Sequence, residues 1–180
     1  IEIGWSIDGN GGITSSMGVK KDEEFPDLPR FGIRLFLNSK LENVSYYGMG
    51  PYESYRDKHR ATSHGLYRAK VGEMHEDYIK PQENGSHYDC DYVELANGQF
   101  GLAAASEKTF SFNASVYTQE ELENTKHNYE LVKSDSTVLC IDYALNGIGS
   151  NSCGPVVMDA YRFDDVEFEF GFKLVPFVKG

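Results

Sequence analysis

Cysteine is scarce in this chain. Cys90, Cys140 and Cys153 are three in number and lie far apart. That count and spacing exclude a paired disulfide framework and a zinc-ligand pattern. Reduced thiols in a cytoplasmic protein are the simpler expectation. Basic residues are also few, 17 Lys and Arg against 28 Asp and Glu, a net charge of −11. Such a balance disfavours nucleic acid and anionic membranes, so neither is expected as a partner. No apolar run approaches the length of a bilayer span. A charged start followed by an apolar core, the mark of a signal peptide, is missing. The Asn-x-Ser matches at Asn43, Asn84 and Asn113 therefore read as glycosylation sites only in a secreted protein. There is no internal repeat, low-complexity tract or linker. The chain opens on Ile1 rather than Met, inside an apparent strand, which reads as a boundary within a longer protein.

What is present is aromatic and glycine-rich: 12 Tyr, 11 Phe and 18 Gly in 180 residues. That composition leans toward β structure. Alternation of apolar and polar residues predicts strands over Ile1–Ile7, Ile13–Met17, Phe31–Leu37, Asn43–Met49, Tyr88–Leu95, Phe100–Ala105, Thr109–Ser115, Thr137–Tyr143 and Phe163–Val175. In the last of these, Val166, Phe168, Phe170 and Phe172 share one face and Glu167 and Glu169 the other, a period of two. Turn signals at Asp8–Gly12, Asn84-Gly85, Asn97-Gly98 and Asn146-Gly147 separate the runs. One short helix is expected after Thr118, whose Thr-Gln-Glu-Glu sequence has capping-box form with Glu121 at the third helical position. Residues 51–62 read as an ordered loop and 20–30 as a connection. The fold class these features predict is an all-β antiparallel sandwich in one domain over 1–180.

Catalytic motifs fail one by one. His75-Glu76 begins like a zinc-protease signature, but position 79 is Ile. Gly147-Ile-Gly149 begins like a dinucleotide loop, but position 152 is Ser and no βαβ unit surrounds it. Ser150–Gly154 approaches a nucleophile elbow without the strand-to-helix context. No histidine pair has ligand spacing, so no metal site and no cofactor is expected in this chain. The acidic residues leave a glycosidase carboxylate pair open, because sequence separation does not reveal spatial separation.

Five segments taken in order carry a resemblance. They are Leu28-Pro-Arg-Phe-Gly-Ile33, Tyr47-Gly-Met-Gly-Pro-Tyr-Glu-Ser-Tyr-Arg-Asp57, Tyr78-Ile-Lys-Pro-Gln-Glu-Asn-Gly85, Tyr117-Thr-Gln-Glu-Glu-Leu122 and the stretch from Asp142 to Pro155. Together they resemble the C-terminal small-chain, or fifth, domain of family 2 β-galactosidases. The resemblance implies an antiparallel β-supersandwich of the galactose-mutarotase type. It implies a parent enzyme that cleaves terminal β-galactosides such as lactose with retention. The acid/base and nucleophile would be two Glu residues on a (β/α)₈ barrel outside this chain, so no catalytic residue is expected here and the chain alone is expected to be inactive. Mg²⁺ and Na⁺, where the parent uses them, would belong to that barrel. The barrel is the expected partner, in a homo-oligomeric parent.

The same resemblance sends the loop after Gly149 toward the galactose pocket, with Asn151, Ser152 and Cys153 as candidate substrate-binding residues. Some members carry Trp where this chain has Cys153. A Cys closes a pocket wall without stacking on a sugar ring. The remaining motif residues read as structural. Gly48 and Gly50 serve a tight corner, Glu53, Arg56 and Asp57 lock the following loop, and Gln82–Gly85 turn into the next strand. Other readings are a mutarotase-like isomerase drawing acid and base from His64, His87 or Glu83, a carbohydrate-binding module using exposed Tyr, and an assembly surface with an unusually apolar face.

Overall fold

The computed structural model describes residues 1–149 and 154–178. Among these residues there are nine strands and one α-helix: β1 (Glu2–Ile7), β2 (Ile13–Lys20), β3 (Arg30–Asn38), β4 (Asn43–Gly50), β5 (Ser63–Lys70), β6 (Ser86–Ala96), β7 (Phe100–Ser115), α1 (Gln119–Asn124), β8 (Ser136–Leu145) and β9 (Glu167–Val178). Every strand pair is antiparallel. The all-β expectation with one short helix is met.

β7 organises the sheet. The two strands expected at Phe100–Ala105 and Thr109–Ser115 are one 16-residue strand that changes neighbour partway. Its first part, Phe100–Ala105, pairs with β9, and its last part, Ser111–Ser115, pairs with β8. β6 runs along the other side of both parts. One arm therefore reads β1-β2-β9-β7-β6-β4-β5, while β8 and β3 branch from the far end of β7. The arms face each other across a single core. Met17, Phe170, Phe172 and Leu174 from one arm pack with Leu139 and Ile141 from the other, alongside Val44, Tyr46 and Phe112. A second cluster, Val19, Ala144, Phe163 and Phe168, closes one end.

Three local expectations need correction. β5 was not anticipated. It is an edge strand whose Leu66 is exposed and whose inward positions are Gly65, Tyr67 and Ala69, so it carries little apolar alternation. Its pairing with β4 rests on backbone hydrogen bonds. β9 begins at Glu167, not Phe163. Phe163 is fully buried in irregular chain, donating its N–H to Asn146 Oδ1 at 2.9 Å and accepting from Leu28 N–H at 3.2 Å. The capping box is half present. Thr118 Oγ1 accepts from Glu121 N–H at 3.1 Å, but the Glu121 carboxylate turns away to accept from Val132 N–H at 2.8 Å.

Gly48 and Gly50 are required by close approach and not by a left-handed backbone. Neither has positive φ. A Cβ at Gly48 would lie 2.9 Å from Cys90 Cα and collide with its sulfur, and one at Gly50 would collide with the Tyr46 hydroxyl. The site opposite Gly48 is where β6 bulges: register shifts on both sides of Cys90, and Asp89 sits at φ 55. Gly48→Ala is expected to destabilise the domain by about 2 kcal/mol or more, because β4 and β6 must part to admit the methyl group. Urea unfolding of the variant beside the parent sequence measures this. An unchanged midpoint would show that the two strands yield freely.

Candidate functional site

The loop between β4 and β5 is built around one buried carboxylate. Glu53 accepts from four groups: Lys58 Nζ, the Tyr78 hydroxyl, the Tyr55 hydroxyl at 3.2 Å and Gly85 N–H at 2.9 Å. Burial raises the pKa of such a group, but here Lys58, Tyr78 and Gly85 outweigh it and hold the Glu53 carboxyl below the ordinary range. Gly85 has φ +72, and a side chain there would strike the Met74 carbonyl. The turn expected at Gln82–Gly85 is thus the floor of the Glu53 site. Asn84 fixes it further, accepting from Glu76 N–H at 2.9 Å and donating to Gln82 O at 2.9 Å.

From that base a tight turn projects. Tyr55 and Lys58 exchange both backbone hydrogen bonds, at 2.8 and 3.0 Å, leaving Arg56 and Asp57 at the tip. Asp57 Oδ1 accepts from Ile148 N–H at 3.1 Å and Oδ2 from Gly149 N–H at 2.8 Å. Arg56 Nη1 donates to the carbonyl of Arg162 at 2.6 Å. The expectation that Glu53, Arg56 and Asp57 lock this loop is met for Glu53, which bonds Tyr55 and Lys58 within it. Asp57 and Arg56 instead reach out to the segment that follows β8.

A third polar group joins the remaining motifs. Arg30 Nε donates to Asp142 Oδ1 at 3.1 Å, Nη2 donates to Asp142 Oδ2, and Nη1 donates to Glu83. Burial raises the Asp142 carboxyl and Arg30 offsets part of that, leaving it at about 6. The Arg30 guanidinium stays charged throughout the accessible range. On β3, Arg34 pairs with Glu120 of α1 at 2.8 Å.

The residues suggested for acid/base work are not assembled for it. His87 is buried against Phe112 and Tyr46, with Nδ1 3.2 Å from Met49 O, and burial pushes its pKa down to about 4. His64 Nε2 lies 3.0 Å from Asp89 O. Glu83 is engaged by Arg30. Each has its own partner, and the isomerase reading gains nothing. A cleft between Tyr55, Arg56, Tyr88, Asp89 and Tyr143 has a volume of about 30 Å³, room for one or two waters and too little for a sugar. A shallow groove of about 450 Å³ runs beside Asn43, Arg68, Lys70, Glu73 and Glu94. Among the described residues no cluster of His, Cys, Asp and Glu is placed to hold a metal, and no helix is long and apolar enough to cross a membrane. Cys90 and Cys140 are free buried thiols. Burial raises the pKa of both, Cys140 to about 11, so they are protonated and unreactive at neutral pH. Asn151, Ser152 and Cys153, the candidate substrate residues, lie outside the described residues.

Among the described residues this is an antiparallel β domain whose buried carboxylates, Glu53 and Asp142, are each paired with a cation of the domain itself. Its sequence shows its family. Residues 1–174 match the family described as beta galactosidase small chain, and the chain belongs to that family. It is 46% identical over 175 residues to a β-galactosidase of Actinobacillus pleuropneumoniae, covering 97% of this chain and 17% of that protein. It is 41% identical over 172 residues to one of Staphylococcus xylosus, covering 96% and 17%. Against a β-galactosidase of Kluyveromyces lactis it is 33% identical over 163 residues, covering 90% and 16%. The chain therefore spans about one sixth of the length of these relatives.

Two expectations test the electrostatics. Glu53→Gln leaves Lys58 without its counter-charge and sets amide hydrogens against a donor, at an expected cost of about 3 kcal/mol in urea unfolding. His87 governs mild acid. Its folded pKa of about 4 lies below the ordinary value of 6.5, so the unfolded chain takes up the proton first. Stability is full above about pH 6.5 and declines as pH falls toward 4, by up to about 3 kcal/mol. In His87→Gln this part of the decline should vanish, while the loss tied to Glu53 persists at lower pH. A pH–stability profile unaltered by His87→Gln would refute the assignment.

Proposed function

We propose that this chain is the C-terminal β-domain of a retaining β-galactosidase that hydrolyses terminal β-D-galactosides such as lactose, acting as a support and not as the catalyst. What carries the reading is a match to β-galactosidases that runs nearly the whole length of this chain yet accounts for a small part of theirs. Retaining hydrolysis needs two carboxyl groups flanking the scissile bond, about 5 Å apart. The buried carboxylates described above, Glu53 and Asp142, are each neutralised by a cation of the domain itself. On this reading the catalytic Glu pair, with any Mg²⁺ or Na⁺, resides on a barrel elsewhere in a cytoplasmic, homo-oligomeric parent.

The domain makes two contributions. The loop after Gly149, with Asn151, Ser152 and Cys153, forms part of the galactose-pocket wall. The face of β1 docks against the rest of the enzyme. Ile3, Trp5 and Ile7 are 54, 54 and 73% exposed, an apolar row on a terminal strand.

Splitting the parent enzyme tests this. The domain and the remainder of the chain, produced separately, should each be inactive toward a chromogenic galactoside and should recover activity when combined. Ile3→Ser with Trp5→Ser should raise the concentration needed for recovery by about thirtyfold or more. Turnover by the purified domain alone, with contamination excluded, would overturn the proposal.

A further inference from the structure

The outward face of β5, β4 and β6 carries two strips that cross the three strands side by side. Directly opposed residues of an antiparallel pair project to the same face. Ser45 lies opposite Arg68 of β5 and Glu94 of β6, so Arg68, Ser45 and Glu94 form one row. Two residues along β4, Tyr47 lies opposite Leu66 and Tyr92, which form the next row with it. The alternate residues Val44, Tyr46 and Val93 are buried in the core, so both rows face away from it. Leu66 and Tyr47 are 51 and 41% exposed. One strip is thus polar and the other apolar and aromatic. The groove of about 450 Å³ follows the polar strip and is lined by Ser45, Arg68 and Glu94 together with Asn43, Lys70 and Glu73. Its volume is that of a small-molecule site.

The charged groups of the groove divide into two kinds. Lys70 Nζ donates to Glu42 at 2.7 Å, and Glu73 accepts from Lys70 N–H at 3.0 Å. Among the described residues neither Arg68 nor Glu94 has an ion-pair partner. Two inter-strand spacings, about 10 Å, separate their backbones, and only the small side chain of Ser45 stands between them.

We propose that this face binds a neutral saccharide, with a pyranoside ring against Tyr47 and Tyr92 and its hydroxyl groups in the groove. The lining selects against other classes of ligand. Glu94 repels an anion and Arg68 repels a cation. A wholly apolar ligand would take water from Arg68, Ser45 and Glu94 and replace none of their hydrogen bonds. A pyranoside matches both strips. Its C–H face packs on an aromatic ring. Its hydroxyls accept from Arg68 and donate to Glu94, in charge-assisted bonds. The platform is ordered before any ligand arrives, which lowers the entropy lost on binding. Tyr47 is steadied by His64, whose ring stands at 82° to it with centroids 4.8 Å apart, and His64 Nε2 lies 3.0 Å from Asp89 O.

The test uses the full-length β-galactosidase containing this domain and two probes: a lactoside with sulfur as the bridging atom, which resists hydrolysis, and maltose, which contains no galactose. Saturation-transfer NMR measures the binding of each. At least one probe should bind saturably through this face, with a dissociation constant on the order of 1 mM, as suits an open groove. Arg68→Ala and Glu94→Gln should each weaken that binding about tenfold, the effect of losing a charge-assisted bond. Tyr47→Ala should weaken it by a similar factor. Hydrolysis of a nitrophenyl galactoside should keep its kcat/KM within about twofold in all three variants. If Tyr47→Ala folds poorly, the outward-facing Arg68 and Glu94 variants decide the question. Binding that persists unchanged in these variants would lie elsewhere on the enzyme and would overturn the proposal. So would the absence of saturable binding by both probes. Inorganic phosphate that displaces the saccharide, and no longer binds in Arg68→Ala, would make the face an anion site and would also overturn it.

Discussion

An ionised carboxylate removed from water loses hydration worth several kcal/mol, and only good partners make up the loss. Glu53 has four of them: an ammonium group, two phenols and a backbone amide. These donors come from residues 55, 58, 78 and 85, two from its own loop and two from the segment that leads into β6. The loop and the turn are therefore not free to arrange themselves independently. The loop must close on Tyr55 and Lys58, and the turn must present Gly85 N–H with a left-handed backbone. With both in place, Arg56 and Asp57 point away from the core toward the segment after β8. The geometry of the polar end of the domain follows from satisfying this one charge.

The other polar links have the same character. Asp142 faces Arg30, Arg30 also reaches Glu83, and Glu83 lies two residues before the Gly85 that serves Glu53. Asn146 N–H donates to Pro29 O and its side chain accepts from Phe163 N–H. The network thus runs from β3 through the turn before β6 to β8 and beyond. Such buried pairs add little net stability over apolar packing of equal volume, but losing one member leaves a charge stranded. Their effect here is to admit one arrangement of loops.

The sequence made most of the sheet legible and little of this network. Strands with one buried face show the period of two, as β9 does with Phe168, Phe170, Phe172 and Leu174 inward. An edge strand such as β5, with Leu66 outward and Gly65 inward, has no such contrast to display. The continuity of β7 through Ser106-Glu107-Lys108 was hidden because its exposed middle reads as a turn. The five motif segments were visible, and so was the polar role of Glu53, Arg56 and Asp57. Their mutual contacts were not, since Glu53 and Gly85 are 32 residues apart and Arg30 and Asp142 are 112 apart. The fold supplies those meetings. The one signal within reach was that separate polar motifs without catalytic spacing need each other if they are to be buried. The candidate pocket residues Asn151, Ser152 and Cys153 lie outside the described residues.

β1 carries the argument beyond this chain. Directly opposed residues of an antiparallel pair project to the same face of a sheet. Ile3 lies opposite Met17 and Trp5 opposite Ser15, and Met17 and Ser15 are buried. Trp5 meets Phe172 of the core edge-on at 6.0 Å. Ile3, Trp5 and Ile7 therefore belong to the inner face of the sheet, the face that elsewhere covers the core. At β1 that face extends past whatever opposes it, and its side chains meet water. The outer edge of β1 also has no pairing strand among the described residues. Natural edge strands are usually blunted by charge, proline or a bulge. β1 has the single charge of Glu2 and none of the rest. An inner face left open beside an unblunted edge is the surface that the docking proposed above for β1 would cover. Under that proposal the apolar row on β1 and the small share of the relatives that this chain spans have one common explanation.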